Sequence, residues 1–315
     1  MKIAIPDDYQ QVVRELDCLS LLDGHDVRIL SGPFDSADAL AEALQGVEAL
    51  VLIRERTCIT EALLAQLPDL RLISQTGRVS QHIDVALCER YGVQVLEGRG
   101  SPVAPAELCW ALIMAASRHL PAYITHLQQG RWQCAEPAGL GRVLSGRTLG
   151  IWGYGRIGQR IAGYGQAFGM QVMVWGSQAA QDRAEADGLA CAESREVFFS
   201  QVDVLSLHLR LVEATRGLVT RQDLARMKPD ALLVNISRAE LIEPGALHDA
   251  LIDHPRRMAA LDVFEQEPAT ADTDPLLALP NVMATPHLGY VEKDSYELYF
   301  SVAFENLVNA CEGNC

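Results

Sequence analysis

TLGIWGYGRIGQRIAGYGQAF, residues 148–168, decides the fold. A short β-rich run leads into Gly153-Tyr154-Gly155-Arg156-Ile157-Gly158, and a helical pattern opens directly behind it. Strand, then G-x-G-x-x-G, then helix is the order that binding of a dinucleotide pyrophosphate requires. The first glycine makes the tight turn, the second lets backbone approach the phosphates, and the third lets helix and strand pack closely. The helix N-terminus then turns its unpaired N–H groups toward the anion. Glycines in this pattern also occur by chance in connections between strands and helices; the flanks give the match its weight.

The same rhythm continues to both ends of the chain. Downstream lie the apolar runs QVMVW (171–175), VDVLSLH (202–208), ALLVNIS (231–237), MAALDVF (258–264) and NVMAT (281–285). With TLGIW they make six strands. Upstream, after a Gly- and Pro-rich stretch (130–147), one long helix is expected from Ser101-Pro102 to Pro121. Before it come KIAIP (2–6), DVRIL (26–30), ALVLI (49–53), RLIS (71–74) and VQVLE (93–97), separated by amphipathic segments. Near-continuous apolar strands alternating with helices indicate parallel sheets covered on both faces. The expected class is α/β and two-lobed: a Rossmann-type doubly wound sheet over 101–288, and a smaller flavodoxin-like lobe from 1–100 plus 289–315. The tail, KDSYELYFSVAFENLVNACEG, reads as one amphipathic helix packing back on the first lobe.

Composition agrees and narrows the partners. A chain of 315 residues exceeds the usual single domain, and 49% hydrophobic with 21% charged residues suits a folded protein. A net charge of −15 disfavours nucleic acid and membrane surfaces, so an anionic substrate needs a local cluster of arginines. The N-terminus lacks a secretory pattern, and a cytoplasmic location is expected. The eight cysteines form no CxxC pair, so neither structural disulfides nor a metal site is expected; Cys311 and Cys315 read as stray tail thiols.

Three residue types then fall at the ends of three strands. Arg238 follows ALLVNIS, Glu267 follows MAALDVF, and His287 follows NVMATP. If those strands are parallel neighbours, all three share the carboxyl edge, where open α/β sheets bind ligands. Taken singly, each is an ordinary loop residue; together they suit reduction of a carbonyl. An imidazole can protonate the oxygen, a carboxylate beside it favours the imidazolium, and a guanidinium can grip a substrate carboxylate bidentately. Pro286 restrains the backbone ahead of His287. At the tip of QVMVW, Gly176 and Ser177 stand where NAD enzymes commonly place Asp or Glu, and the nearest arginine is Arg183. NADP suits that tip, and NAD remains open.

GYGRIG, VNISRAELI (234–242), LDVFEQEP (261–268) and TPHLGY (285–290) together resemble the D-isomer-specific 2-hydroxyacid dehydrogenases over nearly the whole chain. The resemblance implies Arg238 as the substrate-binding arginine and His287 with Glu267 as the acid/base pair. It implies that Asp262 and the Ile236 backbone face the nicotinamide, and that Leu209 and Arg210 line the adenosine side. Arg54 in LVLIRERT matches a family arginine directed at substrate. QTGRVSQHID (75–84) matches a loop whose amides hold the substrate carboxylate, with Arg78-Val79 after Gly77 where a second glycine is common. Arg54 and Arg78 read equally well as solvated loop charges.

The expected reaction is hydride transfer between NAD or NADP and a small 2-oxoacid, giving a D-2-hydroxy acid, with glyoxylate or hydroxypyruvate first among substrates. Relatives acting on D-3-phosphoglycerate often carry an additional regulatory domain, and none is expected here. A formate-type enzyme fits less well, because it carries Gln where Glu267 stands; a phosphite-type enzyme and a non-catalytic, corepressor-like dinucleotide sensor are the alternatives. The resemblance also implies a homodimer; the helix from Ser101 and the loop around Trp132, apolar beyond what one lobe must bury, are its expected contact region.

Overall fold

β1 (Lys2–Ile5), β2 (Asp26–Ile29), β3 (Ala49–Leu52), β4 (Leu72–Gln75) and β5 (Gln94–Glu97) pair in parallel in the order β2-β1-β3-β4-β5. The structure, a computed structural model, describes residues 1–135 and 139–312. Cys315 lies outside the described residues. All four β3 residues are buried, which is why the strand reads as an unbroken apolar run. The helices beside these strands start where the sequence supplies an acceptor. Ser36, Thr60 and Asp84 each take an N–H three residues on, at 3.1, 3.2 and 3.1 Å. The helix Val85–Arg90 ends at Gly92, whose φ of 74° is the left-handed conformation that favours glycine.

The tail helix, Lys293–Glu312, belongs with these strands: Ser74 Oγ of β4 donates to Ala303 O at 2.8 Å. Glu297 accepts the N–H groups of Asp17 and Cys18 at 2.8 and 3.1 Å. Phe300, Ala303, Phe304 and Leu307 are buried along its inner face. One compact unit is therefore Met1–Ser101 with Glu292–Cys315, and the other is Pro102–Val291.

Among the described residues, the second unit holds seven parallel strands, not six. They are β6 (Thr148–Trp152), β7 (Gln171–Trp175), β8 (Ala190–Cys191), β9 (Val204–Leu207), β10 (Leu232–Asn235), β11 (Met258–Leu261) and β12 (Val282–Ala284). Their order is β12-β11-β10-β9-β6-β7-β8. The order reverses at β6, which sets a ligand crevice at the carboxyl ends of β6 and β9. β8 is a two-residue edge strand, too short to leave a pattern in the sequence. One buried cluster lies under the helices Val103–Ser117 and Arg156–Ala167; a second lies under Arg195–Gln201, Arg221–Arg226 and Ala246–Asp253. Both faces are thus covered.

The single helix expected from Ser101 to Pro121 is two, Val103–Ser117 and Leu120–Gln128. Pro121 explains the break, since in a continuous helix its ring would meet the Ser117 carbonyl four residues back. His119 takes φ 52° between the two, and the freed Ser117 carbonyl accepts Arg142 N at 2.7 Å. The helix is capped by Pro102 without a side-chain bond, so Ser101 is not its N-cap. Among the described residues, no helix is long and apolar enough to cross a membrane.

Candidate active site

The glycine turn is tight at its ends and open at its centre. Gly153 has φ 99°, and a Cβ there would lie 2.5 Å from His208 O at the end of β9. A Cβ on Gly158 would strike the Gly153 carbonyl oxygen, whereas one on Gly155 would meet nothing within 4 Å. Gly155 is the N-cap of Arg156–Ala167, and among the described residues no side-chain cap bond is made there. These residues fit a dinucleotide: backbone donors face open space that a side chain on Gly155 would fill. Arg156 is exposed at the first helical position, and Ile157 is partly buried against the core. Tyr154 contributes only backbone, because its ring is buried and its hydroxyl donates to Asp187 Oδ2 at 2.8 Å. Across the crevice, Leu209 lies 3.1 Å from where a Gly153 Cβ would stand, and Arg210 is exposed.

Arg238, Glu267 and His287 lie at the carboxyl ends of β10, β11 and β12, three adjacent parallel strands. Their shared edge is therefore also that of the glycine turn. His287 Nδ1 meets Glu267 Oε2 at 2.6 Å, and Phe264 N donates to Glu267 Oε1 at 3.0 Å. One carboxylate oxygen is thus fixed by backbone while the other takes the imidazole. With Nδ1 engaged by the carboxylate, Nε2 is the nitrogen left for proton transfer. Tyr290 packs edge-on to the imidazole, with ring centroids 5.6 Å apart.

The loop carrying His287 is strained, and a buried carboxylate holds it. His287 has φ 52°, in the left-handed region that disfavours a side chain. Asp262, fully buried, accepts Thr285 Oγ1 at 2.6 Å, Leu288 N at 2.7 Å and Gly289 N at 2.8 Å. Burial raises its pKa, opposed by these bonds and by the charge of His287. Arg238 is held in a similar way. Asn235, 1% exposed, donates from Nδ2 to Arg238 O at 2.8 Å and accepts Ser237 N at 3.0 Å. Ser237 Oγ reaches Leu207 O at 2.8 Å, and Ile236 is buried between them in sequence. Sequence reasoning passed over Asn235; the available signal was an amide inside an otherwise apolar strand.

Behind the turn lies a chain of three neutral groups. His208 Nε2 lies 2.8 Å from Ser206 Oγ, which lies 3.3 Å from Cys109 Sγ. Burial pushes the His208 imidazole down to about 4 and the Cys109 thiol up to about 12, so neither ionises near neutrality.

In the first unit, Arg54 and Gly77 come together at the carboxyl edge of the five-stranded sheet. A Cβ on Gly77 would strike Arg54 Nη1, so the glycine makes room for the guanidinium. Arg54 takes φ 51°; its N–H donates to Thr76 Oγ1 at 3.0 Å, and its carbonyl accepts Gln75 Nε2 at 2.7 Å. Arg78 is exposed in the next position. One amide of this loop is already committed, since Val79 N donates to Glu97 Oε1 at 2.8 Å.

Comparison with known proteins identifies the family. The model of the D-isomer specific 2-hydroxyacid dehydrogenase NAD binding domain matches residues 110–289. A crystal structure of phosphoglycerate oxidoreductase from Vibrio cholerae o395 superposes with a TM-score of 0.98 at 62% identity, over 99% of each chain. Hydroxypyruvate reductase of Thermotoga maritima is 34% identical over 254 residues, 80% of this chain and 81% of that one. D-3-phosphoglycerate dehydrogenase of Methanocaldococcus jannaschii is 32% identical over 277 residues, 88% of this chain, which spans only 52% of that relative's length. The chain belongs to the D-isomer specific 2-hydroxyacid dehydrogenases, and its second unit carries their NAD-binding domain.

Proposed function

We propose that the protein reduces a small 2-oxoacid to a D-2-hydroxy acid, with His287 as proton donor, Glu267 as its carboxylate partner and Arg238 as the grip on the substrate carboxylate. The observation that carries this reading is the 2.6 Å contact between His287 and Glu267 on the edge that also bears the glycine turn and Arg238. When bound, the nicotinamide supplies the hydride. Glu267 favours the charged imidazole and fixes its orientation, so that Nε2 can donate a proton as negative charge gathers on the substrate oxygen. Arg238 offers paired N–H donors to a carboxylate and polarises the carbonyl next to it. Asp262 and the backbone of Ile236 are assigned to the nicotinamide end, Leu209 and Arg210 to the adenosine side. Arg54, Gly77 and Arg78 are assigned to holding substrate anion, which supplies local positive charge in a chain of −15.

Glyoxylate and hydroxypyruvate are the substrates put first. The test is loss of reduced-nicotinamide absorbance across a panel of 2-oxoacids, with chiral analysis of the product. Turnover to the D-isomer is expected. Coenzyme binding with no turnover on any member of the panel would instead support a dinucleotide sensor.

A homodimer is part of the same proposal. Leu120, Ile124, Leu127, Trp132, Leu140 and Val143 are 45–83% exposed within one stretch of chain, and the same stretch offered by a second copy would cover them. Light scattering should give the mass of two chains; a mass of one chain would overturn the dimer.

A further inference from the structure

β7 ends at Trp175, and Gly176-Ser177 form its tip. Gly153 N donates to Trp175 O at 3.0 Å, and a Cβ on Gly176 would lie 3.7 Å from Gly153 N, so the tip abuts the glycine turn. In this fold the tip reads the adenosine ribose. A carboxylate there accepts the 2′-hydroxyl and repels a 2′-phosphate. None stands here. The acidic groups of the following helix, Gln178–Ala186, and its end are turned to other work or away. Asp182 takes Gln178 Nε2 at 2.8 Å, and Asp187 takes the Tyr154 hydroxyl at 2.8 Å. Glu185, two residues beyond Arg183, does not share its face of the helix.

Arg183 instead reaches back to the turn. Its Nε and Nη2 donate to Tyr154 O at 3.3 and 3.2 Å, which sets the guanidinium one residue from Gly153 and hence beside the β7 tip. Arg183 is exposed, and its Nη1 has no partner among the described residues. The Ser177 hydroxyl caps no backbone N–H. A cation, a free hydroxyl and a missing carboxylate thus surround the place where the 2′ substituent is read. NAD(H) offers Arg183 nothing to pair with there, whereas a 2′-phosphate offers a charge-assisted hydrogen bond.

We propose that the adenosine end of this site takes a 2′-phosphate, held by Arg183 and the Ser177 hydroxyl, so that the enzyme accepts NADP(H) in preference to NAD(H). The proposal rests on the dehydrogenase reading above, and the test separates the two by using fragments that carry no nicotinamide. Titration calorimetry compares ADP with 2′,5′-ADP. The wild-type protein should bind 2′,5′-ADP roughly ten- to a hundredfold more tightly, the range of a charge-assisted hydrogen bond. Arg183→Gln should bring the ratio to within about threefold, and Ser177→Asp should reverse it by like-charge repulsion. Equal or tighter binding of ADP by the wild type, or an unchanged ratio in Arg183→Gln, would overturn the proposal while leaving the dinucleotide site intact. Binding of neither fragment would overturn both.

Discussion

His287 spends conformational energy to stand where it does. A non-glycine residue at φ 52° is strained by about 1 kcal/mol or more, and persists only where its surroundings over-determine it. Here Asp262 supplies the restraint, accepting two amides on one side of His287 and a hydroxyl on the other. Glu267 is similarly built in, with one oxygen tied to Phe264 N before the other meets the imidazole. Glu267→Gln keeps the size of the side chain but removes the charge that favours the imidazolium. It should lower turnover roughly 10- to 100-fold, less than loss of the histidine itself. Steady-state kinetics would show it, and unchanged turnover would contradict the pairing.

At the level of elements, the glycine turn works because β6, its helix and β9 meet within van der Waals distance. Gly158→Ala would push a methyl group into the Gly153 carbonyl, a backbone atom that cannot step aside cheaply. Coenzyme affinity should fall at least tenfold and the protein should lose about 1–3 kcal/mol of stability. Fluorescence titration and denaturant unfolding measure the two; wild-type values for both would show that the close packing is dispensable. Much of this was legible in the sequence. GYGRIG carried its flanking strand and helix with it, and the three polar residues after VNIS, DVF and ATP announced a shared edge once the strands were taken as parallel. What escaped was set by contacts between distant segments. β8 exists only because two residues happen to pair with β7, and the long helix breaks because Pro121 meets Ser117. The commitment of the Val79 amide to Glu97 needs β5 beside the loop, which no local pattern reveals.

Across the whole molecule, stability should depend on pH through His208. Its imidazole is buried with Nδ1 unpartnered among the described residues, and its pKa is pushed down from 6.5 to about 4. Between those values the unfolded chain takes up a proton that the folded protein refuses. Stability is therefore full above the unfolded value and falls by up to about 3 kcal/mol as the pH drops toward 4. Urea unfolding at pH 7 and pH 4.5 should show a smaller acid loss in His208→Gln than in the wild type. Parallel losses would assign the effect to other groups. The charge of −15 acts at the same scale, keeping anions at a distance from the surface as a whole.

The central part in the proposed chemistry falls to the imidazole at the end of β12. The measurement is a single-turnover reduction of a 2-oxoacid by enzyme preloaded with reduced coenzyme, wild type against His287→Ala, with coenzyme affinity determined in parallel. The hydride step should slow by roughly 100- to 10,000-fold while the coenzyme still binds. A variant that transfers hydride at the wild-type rate would contradict the assignment of His287 as the proton donor.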